Sequence, residues 1–177
     1  MATPSKLPGL PFSQPEFRKP TETILQKVGK WREIEIIEKM EVSATLARET
    51  VAMNKDIRFP MQLPQATPAL LTFSGDVYRG LDASSLSEKQ LIAADNCLRI
   101  LSGMYGYLKP LQLIQPYRLM MGTPMTELAG YTSLASFWKP FITHAINEEL
   151  NEKDTLVNLA SQEYAVAFDE NAICATV

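Results

Sequence analysis

The sequence contains three groups of polar residues whose types and spacing are suited to chemistry, and each group lies close to an apolar run. Asp76 belongs to the first group and comes after the run 69–73 and a Ser-Gly pair. A carboxylate that follows a buried strand can act as a base, accept hydrogen bonds or bind a cation. The same residue can simply cap a turn or the helix that follows it. The pattern therefore allows both a catalytic and a structural interpretation of Asp76.

The second group is a pair of glycines, Gly103 and Gly106, that lies between basic residues. Together with Ser102 they can form a hairpin whose backbone N–H groups point outward, and phosphate oxygens are natural acceptors for such groups. Arg99 and Lys109 would then supply positive charge. A tight connection between two core elements needs the same glycines, so the spacing leaves both interpretations open.

The third group combines Arg118 with a cluster near the end of the chain, Asn158, Ser161, Glu163 and Tyr164. The cluster can present an amide, a hydroxyl and a carboxylate to one cleft. Arg118 can bind a carboxylate or a phosphate there through two parallel hydrogen bonds. The alternative is structural, with Ser161 as a helix cap and an ion pair between Arg118 and Glu163.

The elements that must position these groups follow from apolar spacing and from cap and turn residues. Prolines indicate an extended arm over residues 1–20, and helical spacing predicts two or three helices over 21–56. Ser87 and Gln90 have capping-box spacing and predict a helix through Cys97. Buried strands are predicted at 69–73, 98–101, 117–121 and 155–160, and further helices at 134–150 and from 162 onward. This order favours a single α/β domain over 1–177, with helices packed on a mixed sheet.

Composition limits the classes of protein to which the chain can belong. Its 177 residues suffice for one core, and 46% hydrophobic with 21% charged residues is typical of a globular protein. Two cysteines, Cys97 and Cys174, and one histidine, His144, provide neither a disulfide framework nor a zinc site. The sequence also lacks the glycine loops that bind nucleotide phosphates, so we expect no metal and no cofactor.

Charge and hydropathy bear on partners and location. The net charge is −3, but residues 97–126 contain no acidic residue and include Arg99, Lys109 and Arg118. This basic middle is the expected contact for an anionic partner. The sequence has no apolar stretch long enough to span a membrane and no signal-peptide block over 1–15, so we expect a cytoplasmic protein that does not bind membranes.

At the same positions the sequence resembles the YaaA family of peroxide-stress proteins. The resemblance rests on five blocks in one order: 73–81 (FSGDVYRGL), 98–111 (LRILSGMYGYLKPL), 115–122 (QPYRLMMG), Phe137 with Trp138, and 158–164 (NLASQEY). Residues 3–6 resemble the family's Ser-Pro-Ala-Lys element, so the similarity covers about 3–164. Five ordered blocks are far more specific than any one of them.

The resemblance implies a single mixed α/β domain and a DNA-binding protein of the oxidative-stress response, which limits damage from peroxide and iron. It also implies a positive cleft and a helix-hairpin-helix-like element, whose counterpart here is the hairpin 102–106. The DNA would be duplex or branched and bound without sequence preference, and no enzymatic reaction is needed. The DNA-binding residues expected on this basis are Lys6, Arg99, Ser102, Gly103, Gly106, Lys109 and Arg118.

Two other hypotheses stay open at the level of sequence. An enzyme that acts on a nucleotide or nucleobase would gather five polar side chains in one pocket, with Asp76 and Glu163 as catalytic carboxylates. The five are Asp76, Arg118, Asn158, Ser161 and Glu163. An inactive remnant is the third hypothesis, because the match to the family stops after residue 164 and only two residues precede the N-terminal element. We therefore expect an incomplete copy of the family's domain that lacks its basic C-terminal segment.

Overall fold

The computed structural model describes residues 9–177, so Lys6 and the rest of the N-terminal element 3–6 lie outside the described residues. From residue 9 onward the chain forms helices joined by turns, with short strands in its middle third. The helices are α1 (Arg18–Val28), α2 (Glu33–Met40), α3 (Ala44–Asp56), α4 (Ala69–Thr72), α5 (Asp76–Leu81), α6 (Glu88–Cys97), α7 (Leu134–Glu149) and α8 (Gln162–Ala165). The strands are β1 (Thr67–Pro68), β2 (Ile100–Ser102), β3 (Gly106–Leu108) and β4 (Leu113–Ile114).

Two or three helices were predicted for residues 21–56, and the structure has three, α1, α2 and α3. A short turn joins α2 to α3, and it begins at Glu41, whose backbone is left-handed with φ 52°. The Ser43 side chain then caps α3 by accepting a hydrogen bond from the backbone N–H of Leu46. Both helices turn apolar side chains inward, Ile36 from α2 and Ala47 from α3, and both are fully buried.

The strands form two small antiparallel ladders, in which β1 pairs with β4 and β2 pairs with β3. A parallel bridge joins Ser13 of the extended N-terminal segment to Gln112. Within residues 9–177 the strands therefore form two separate antiparallel pairs and not the one mixed sheet that we expected. The mixed α/β class expected from the sequence is confirmed.

The core is centred on the second ladder and on α7. Trp138 of α7 is fully buried, and its indole Nε1–H donates to the Gly103 carbonyl at 2.9 Å. Phe17, which precedes α1, packs 5.8 Å from the Trp138 ring centre, so aromatic contacts join the N-terminal helices to α7. The helix begins at a capping box in which Ser133 and Ser136 bond each other's backbone N–H groups. Its proline, Pro140, lies in the second turn.

Three of the predicted strands are wrong, and the fourth, 98–101, is confirmed only in its second half, where residues 100–101 belong to β2. Residues 69–73 begin as the single helical turn α4, which closes when the Thr72 hydroxyl donates to the Pro68 carbonyl at 2.9 Å. Residues 117–121 form no strand. Residues 155–160 make one bridge at Thr155 and leave Val157 and Leu159 69% and 74% exposed. A short apolar run fits a buried strand, a helical turn or a loop, and tertiary contacts decide among them.

None of the helices between residues 9 and 177 combines the length and the apolar composition that a membrane crossing requires.

Candidate functional site

The glycine hairpin lies inside the molecule, between β2 and β3. An ideal Cβ on Gly106, whose φ is +74°, would lie 2.6 Å from the Trp138 ring, and one on Gly103 would lie 2.3 Å from the Leu119 carbonyl oxygen. Both glycines and Ser102 are buried. Close packing therefore explains why glycine occupies both positions, and the hairpin does not present its N–H groups to solvent. Because strands flank it directly, the helix-hairpin-helix expectation for this segment is not confirmed.

Tyrosines surround the hairpin and bury their hydroxyl groups. The Ser102 hydroxyl pairs with the Tyr117 hydroxyl at 2.7 Å, and Tyr105 packs edge-on against Tyr117 with ring centres 5.3 Å apart. Tyr117 also contacts Phe73, which stacks on Tyr78. Burial raises the pKa of Tyr117 well above its usual value and that of Tyr78 to about 12. These phenols stay protonated at neutral pH and act as structural hydrogen-bonding groups.

The two basic residues beside the hairpin bind one internal carboxylate. Arg99 Nε lies 2.7 Å from Glu149 Oε2, and Lys109 Nζ lies 2.7 Å from Glu149 Oε1. The Tyr107 hydroxyl donates to the same carboxylate. Burial acts to raise the pKa of Glu149, but the hydrogen bonds from Arg99, Lys109 and Tyr107 outweigh it and lower the pKa to about 2. Glu149 therefore holds both side chains and offsets one of their two positive charges.

Asp76 and Asn158 lie on the surface and are bonded to other residues. Asp76 is the first residue of α5, its side chain is 91% exposed, and it pairs with Arg79 one turn later. Asn158 donates to Glu170 Oε1 at 2.7 Å. The cap position of α5 is Gly75 and not Asp76, so Asp76 does not cap this helix but lies in its first turn.

Ser161 and Glu163 flank the start of α8. Ser161 occupies the cap position, although its hydroxyl makes no capping hydrogen bond, and Glu163 Oε1 accepts from the Gly122 N–H at 3.0 Å. Arg118 is exposed, and no ion pair joins it to Glu163 in the part of the chain from residue 9 onward. Tyr164 is half-buried, which raises its pKa, and the charge of Glu163 raises it further. The five polar residues of the enzyme hypothesis make no hydrogen bond or ion pair with one another over residues 9–177.

A basic groove that the motif analysis missed lies where α1 turns into α2. It is a cavity of about 470 Å³ lined by residues 29–34 and, from α3, by Val51 and Lys55. Lys30, Arg32 and Lys55 are exposed around it, and Glu33 is the one acidic residue of the lining. The sequence held a signal for it, since residues 27–32 carry Lys27, Lys30 and Arg32 with no acidic residue.

A second cavity, of about 240 Å³, lies near the end of α2. Its lining residues are Lys39, Met40, Glu41, Met120, Gly122, Thr123 and Glu163. Glu163 is the only one of them that the sequence marked as a candidate site residue, because the lining comes together only through folding.

Metal ligands are not gathered in the described part of the chain. Over residues 9–177 no three His, Cys, Asp or Glu side chains lie close enough to hold an ion together. Cys97 and Cys174 are exposed free thiols.

Comparison with known proteins places the chain in a family. The sequence profile of the peroxide stress protein YaaA matches residues 1–177. The chain belongs to the YaaA family of peroxide-stress proteins. It is 42% identical to a UPF0246 protein of Flavobacterium psychrophilum over 92% of this chain, and 43% identical to one of Flavobacterium johnsoniae over 95%. It spans 64% and 66% of the length of these two relatives.

The resemblance seen in the sequence is thus confirmed, and the structure shows how the YaaA-family blocks fit together. The glycine hairpin block binds the block after it through Ser102 and Tyr117, and its backbone accepts a hydrogen bond from Trp138. Gly122 at the end of that second block bonds Glu163 in the last one. The family motifs therefore build a common packing centre in this chain.

Proposed function

We propose that this chain acts in the peroxide-stress response by binding DNA phosphates, without base specificity, through the basic groove at the α1–α2 turn. The observation that carries the proposal is the convergence of Lys30, Arg32 and Lys55 around one open cavity. Membership of a peroxide-stress family supports the cellular role.

The groove suits a polyanion because its positive charge is accessible. Lys30 and Lys55 make no ion pair with any residue in the range 9–177, and the Arg32 side chain is 79% exposed even though its Nε lies 3.2 Å from Glu35. Exposed lysine and arginine side chains bind phosphate at low desolvation cost and release counterions from the DNA. By contrast, Arg99 and Lys109 would have to break their ion pairs with Glu149 before they could bind phosphate.

The secondary structure around the groove also supports the proposal. α2 and α3 are two helices joined by a short turn, which together form a helical hairpin. The groove does not lie beside the turn that joins the two helices. It lies at their opposite ends, next to the N-terminus of α2 and the C-terminus of α3. We therefore move the proposed contact with DNA from the buried glycine hairpin to this helix pair.

The test compares two double variants that remove the same amount of charge. Lys30→Ala with Lys55→Ala should weaken duplex DNA binding for all sequences alike and reduce the salt dependence of log K by roughly 0.9 for each lost phosphate contact. Lys139→Ala with Lys153→Ala is the matched control, because both lysines are exposed and lie on other elements. Affinity and salt slope are measured by fluorescence anisotropy at several salt concentrations. Equal losses in the two double variants would show that only net charge matters and would refute the assignment to the groove.

A further inference from the structure

The cavity near the end of α2 holds charged groups of both signs in fixed positions. Lys39 Nζ lies 3.1 Å from Glu127 Oε1 and 5.2 Å from the centre of the Trp31 ring. Trp31 Nε1 donates to Glu127 as well, at 3.1 Å, so carboxylate and indole together hold the ammonium in place. The lining therefore contains a positioned cation that a ligand can use as a hydrogen-bond donor.

Glu163 provides a positioned acceptor in the same lining. Its Oε1 accepts from the Gly122 N–H, while its Oε2 makes no hydrogen bond to any group between residues 9 and 177. Gly122 allows this approach, since an ideal Cβ there would lie 3.2 Å from Glu163 Oε1. Glu41 adds a second carboxylate to the lining.

Thr123 adds a polar group that the protein leaves unsatisfied. Its side chain is only 2% exposed, yet its hydroxyl has no hydrogen-bond partner among residues 9–177. Buried hydroxyls are normally paired, and leaving one unpaired destabilises the free protein. The hydroxyl oxygen is itself buried from solvent, so Thr123 shapes the wall of the cavity and is not a contact for a ligand.

We propose that this cavity binds the Watson–Crick edge of a guanine-type base. The two carboxylates can accept hydrogen bonds from N–H donors of a ligand, and the Lys39 ammonium can donate to an acceptor. The positive charge of Lys39 also repels a cationic ligand such as a guanidinium. Guanine is neutral and offers adjacent ring N–H and amino donors together with the O6 and N7 acceptors. The Met40 and Met120 side chains supply polarizable apolar surface for its faces.

The volume of the cavity is consistent with a ligand the size of one nucleobase. The cavity volume of about 240 Å³ is below the roughly 300–1,000 Å³ that is typical of sites for drug-sized ligands. A single heterocycle suits it better than a whole nucleotide. The base could belong to a free nucleoside or to an unpaired position in DNA, and its chemistry is the same in both.

The proposal does not rest on DNA binding at the basic groove, because the two sites share no residue. Calorimetric titration of the full chain with guanosine is the direct test, with inosine as the analogue that lacks the amino group. We expect guanosine to bind, and inosine to bind roughly tenfold more weakly or worse, since a hydrogen bond to a charged acceptor is lost. Absence of guanosine binding, or equal binding of the two nucleosides, would overturn the proposal.

Two variants locate the site. Glu163→Gln keeps an acceptor for Gly122 but removes the charge, so guanosine affinity should fall by about tenfold or more with an unchanged melting temperature. Thr123→Val should raise the melting temperature of the free protein, since it removes an unpaired buried hydroxyl, and should leave guanosine affinity near the wild-type value. Glu152→Gln, at an exposed position outside the cavity lining, is the control. Unchanged guanosine affinity in Glu163→Gln would assign the binding to another place and refute the site.

The source of the base is settled by DNA titrations. A duplex with one unpaired guanine is compared with the same duplex carrying an unpaired thymine, using wild type and Glu163→Gln. A guanine preference that disappears in Glu163→Gln supports an extruded base. Equal binding of both duplexes, with guanosine binding retained, supports a free nucleoside as the ligand.

Discussion

Glu149 is the last residue of α7 and ties three other side chains to the end of that helix. Arg99 from the α6–β2 connection, Tyr107 from β3 and Lys109 just after it all donate to its carboxylate. Its side chain is 25% exposed, so solvent screens these interactions in part. The cluster joins the hairpin to α7 at one point and ties up two of the three basic side chains of residues 97–126.

Replacement of Glu149 by Gln should destabilise the protein by about 1 kcal/mol at pH 7, because Arg99 and Lys109 lose their common counter-charge. The pKa of Glu149 is lowered from 4.5 to about 2. A carboxylate with a lowered pKa contributes stability above its unfolded-state pKa and loses that contribution as pH falls toward the folded-state value. The stability difference between wild type and Glu149→Gln should therefore shrink between pH 4.5 and pH 2.

Urea denaturation at pH 7 and at pH 3 measures both effects. Glu148→Gln, at the exposed neighbouring position, serves as the control and should leave the stability near the wild-type value at both pH values. A Glu149→Gln protein that is as stable as wild type at pH 7 would show that the cluster adds nothing to folding.

Among the helices, those with strong local signals were predictable from the sequence. Ser87 and Gln90 form the expected capping box at the start of α6, and the apolar face of α7 is buried as its spacing predicts. The run 69–73 forms a helical turn and not the predicted strand, because its four apolar residues specify burial but not backbone conformation. The hydrogen bond from Thr72 to the Pro68 carbonyl, which closes α4, is visible only in the folded chain.

The glycine hairpin offers a sharp prediction about packing. Gly106→Ala should destabilise the protein by roughly 2–4 kcal/mol, since it combines a left-handed backbone with a Cβ 2.6 Å from the Trp138 ring. Gly80→Ala, in α5, is the matched substitution, because nothing lies within 4 Å of its added Cβ. Gly80→Ala should raise the free energy of unfolding by about 0.5–1 kcal/mol. Equal stabilities of the two variants in chemical denaturation would contradict the buried position of the hairpin.

The turn between α2 and α3 contains a residue whose strained backbone lowers the free energy of unfolding. Glu41 has φ 52° and ends α2 in the left-handed region that glycine adopts freely. Glu41→Gly should therefore stabilise the protein by about 1 kcal/mol. Glu41→Gln removes the charge but keeps the strained backbone, so it should give none of that gain. Thermal unfolding of the two variants separates the effects, and a loss of stability in Glu41→Gly would exclude strain at this turn.

The candidate site was less predictable than the helices. Glycine spacing at 103 and 106 fits an outward phosphate-binding hairpin and an inward packing hairpin equally well. The contact with Trp138, a residue 32 positions further along than Gly106, decides between them. The basic groove could not be predicted as a unit either, because Lys55 joins Lys30 only when α3 folds back along α2.

For the whole molecule, binding of an anionic partner depends more on where the charges lie than on the net charge. The net charge of −3 opposes binding to DNA, and the three cationic side chains around the groove must overcome it locally. Their contribution is screened by salt over about 10 Å at 0.1 M ionic strength, so binding should weaken steeply as salt rises.

Lysine acetylation footprinting of the wild-type chain tests the DNA-binding groove most directly. Each lysine is labelled with and without saturating duplex DNA at low salt, and the extent of labelling is read by mass spectrometry. Our account predicts that DNA protects Lys30 and Lys55 severalfold, while Lys139, Lys153 and the Glu149-bound Lys109 label at the same rate in both samples. Protection of Lys109 or Lys139 with Lys30 and Lys55 still fully reactive would contradict it.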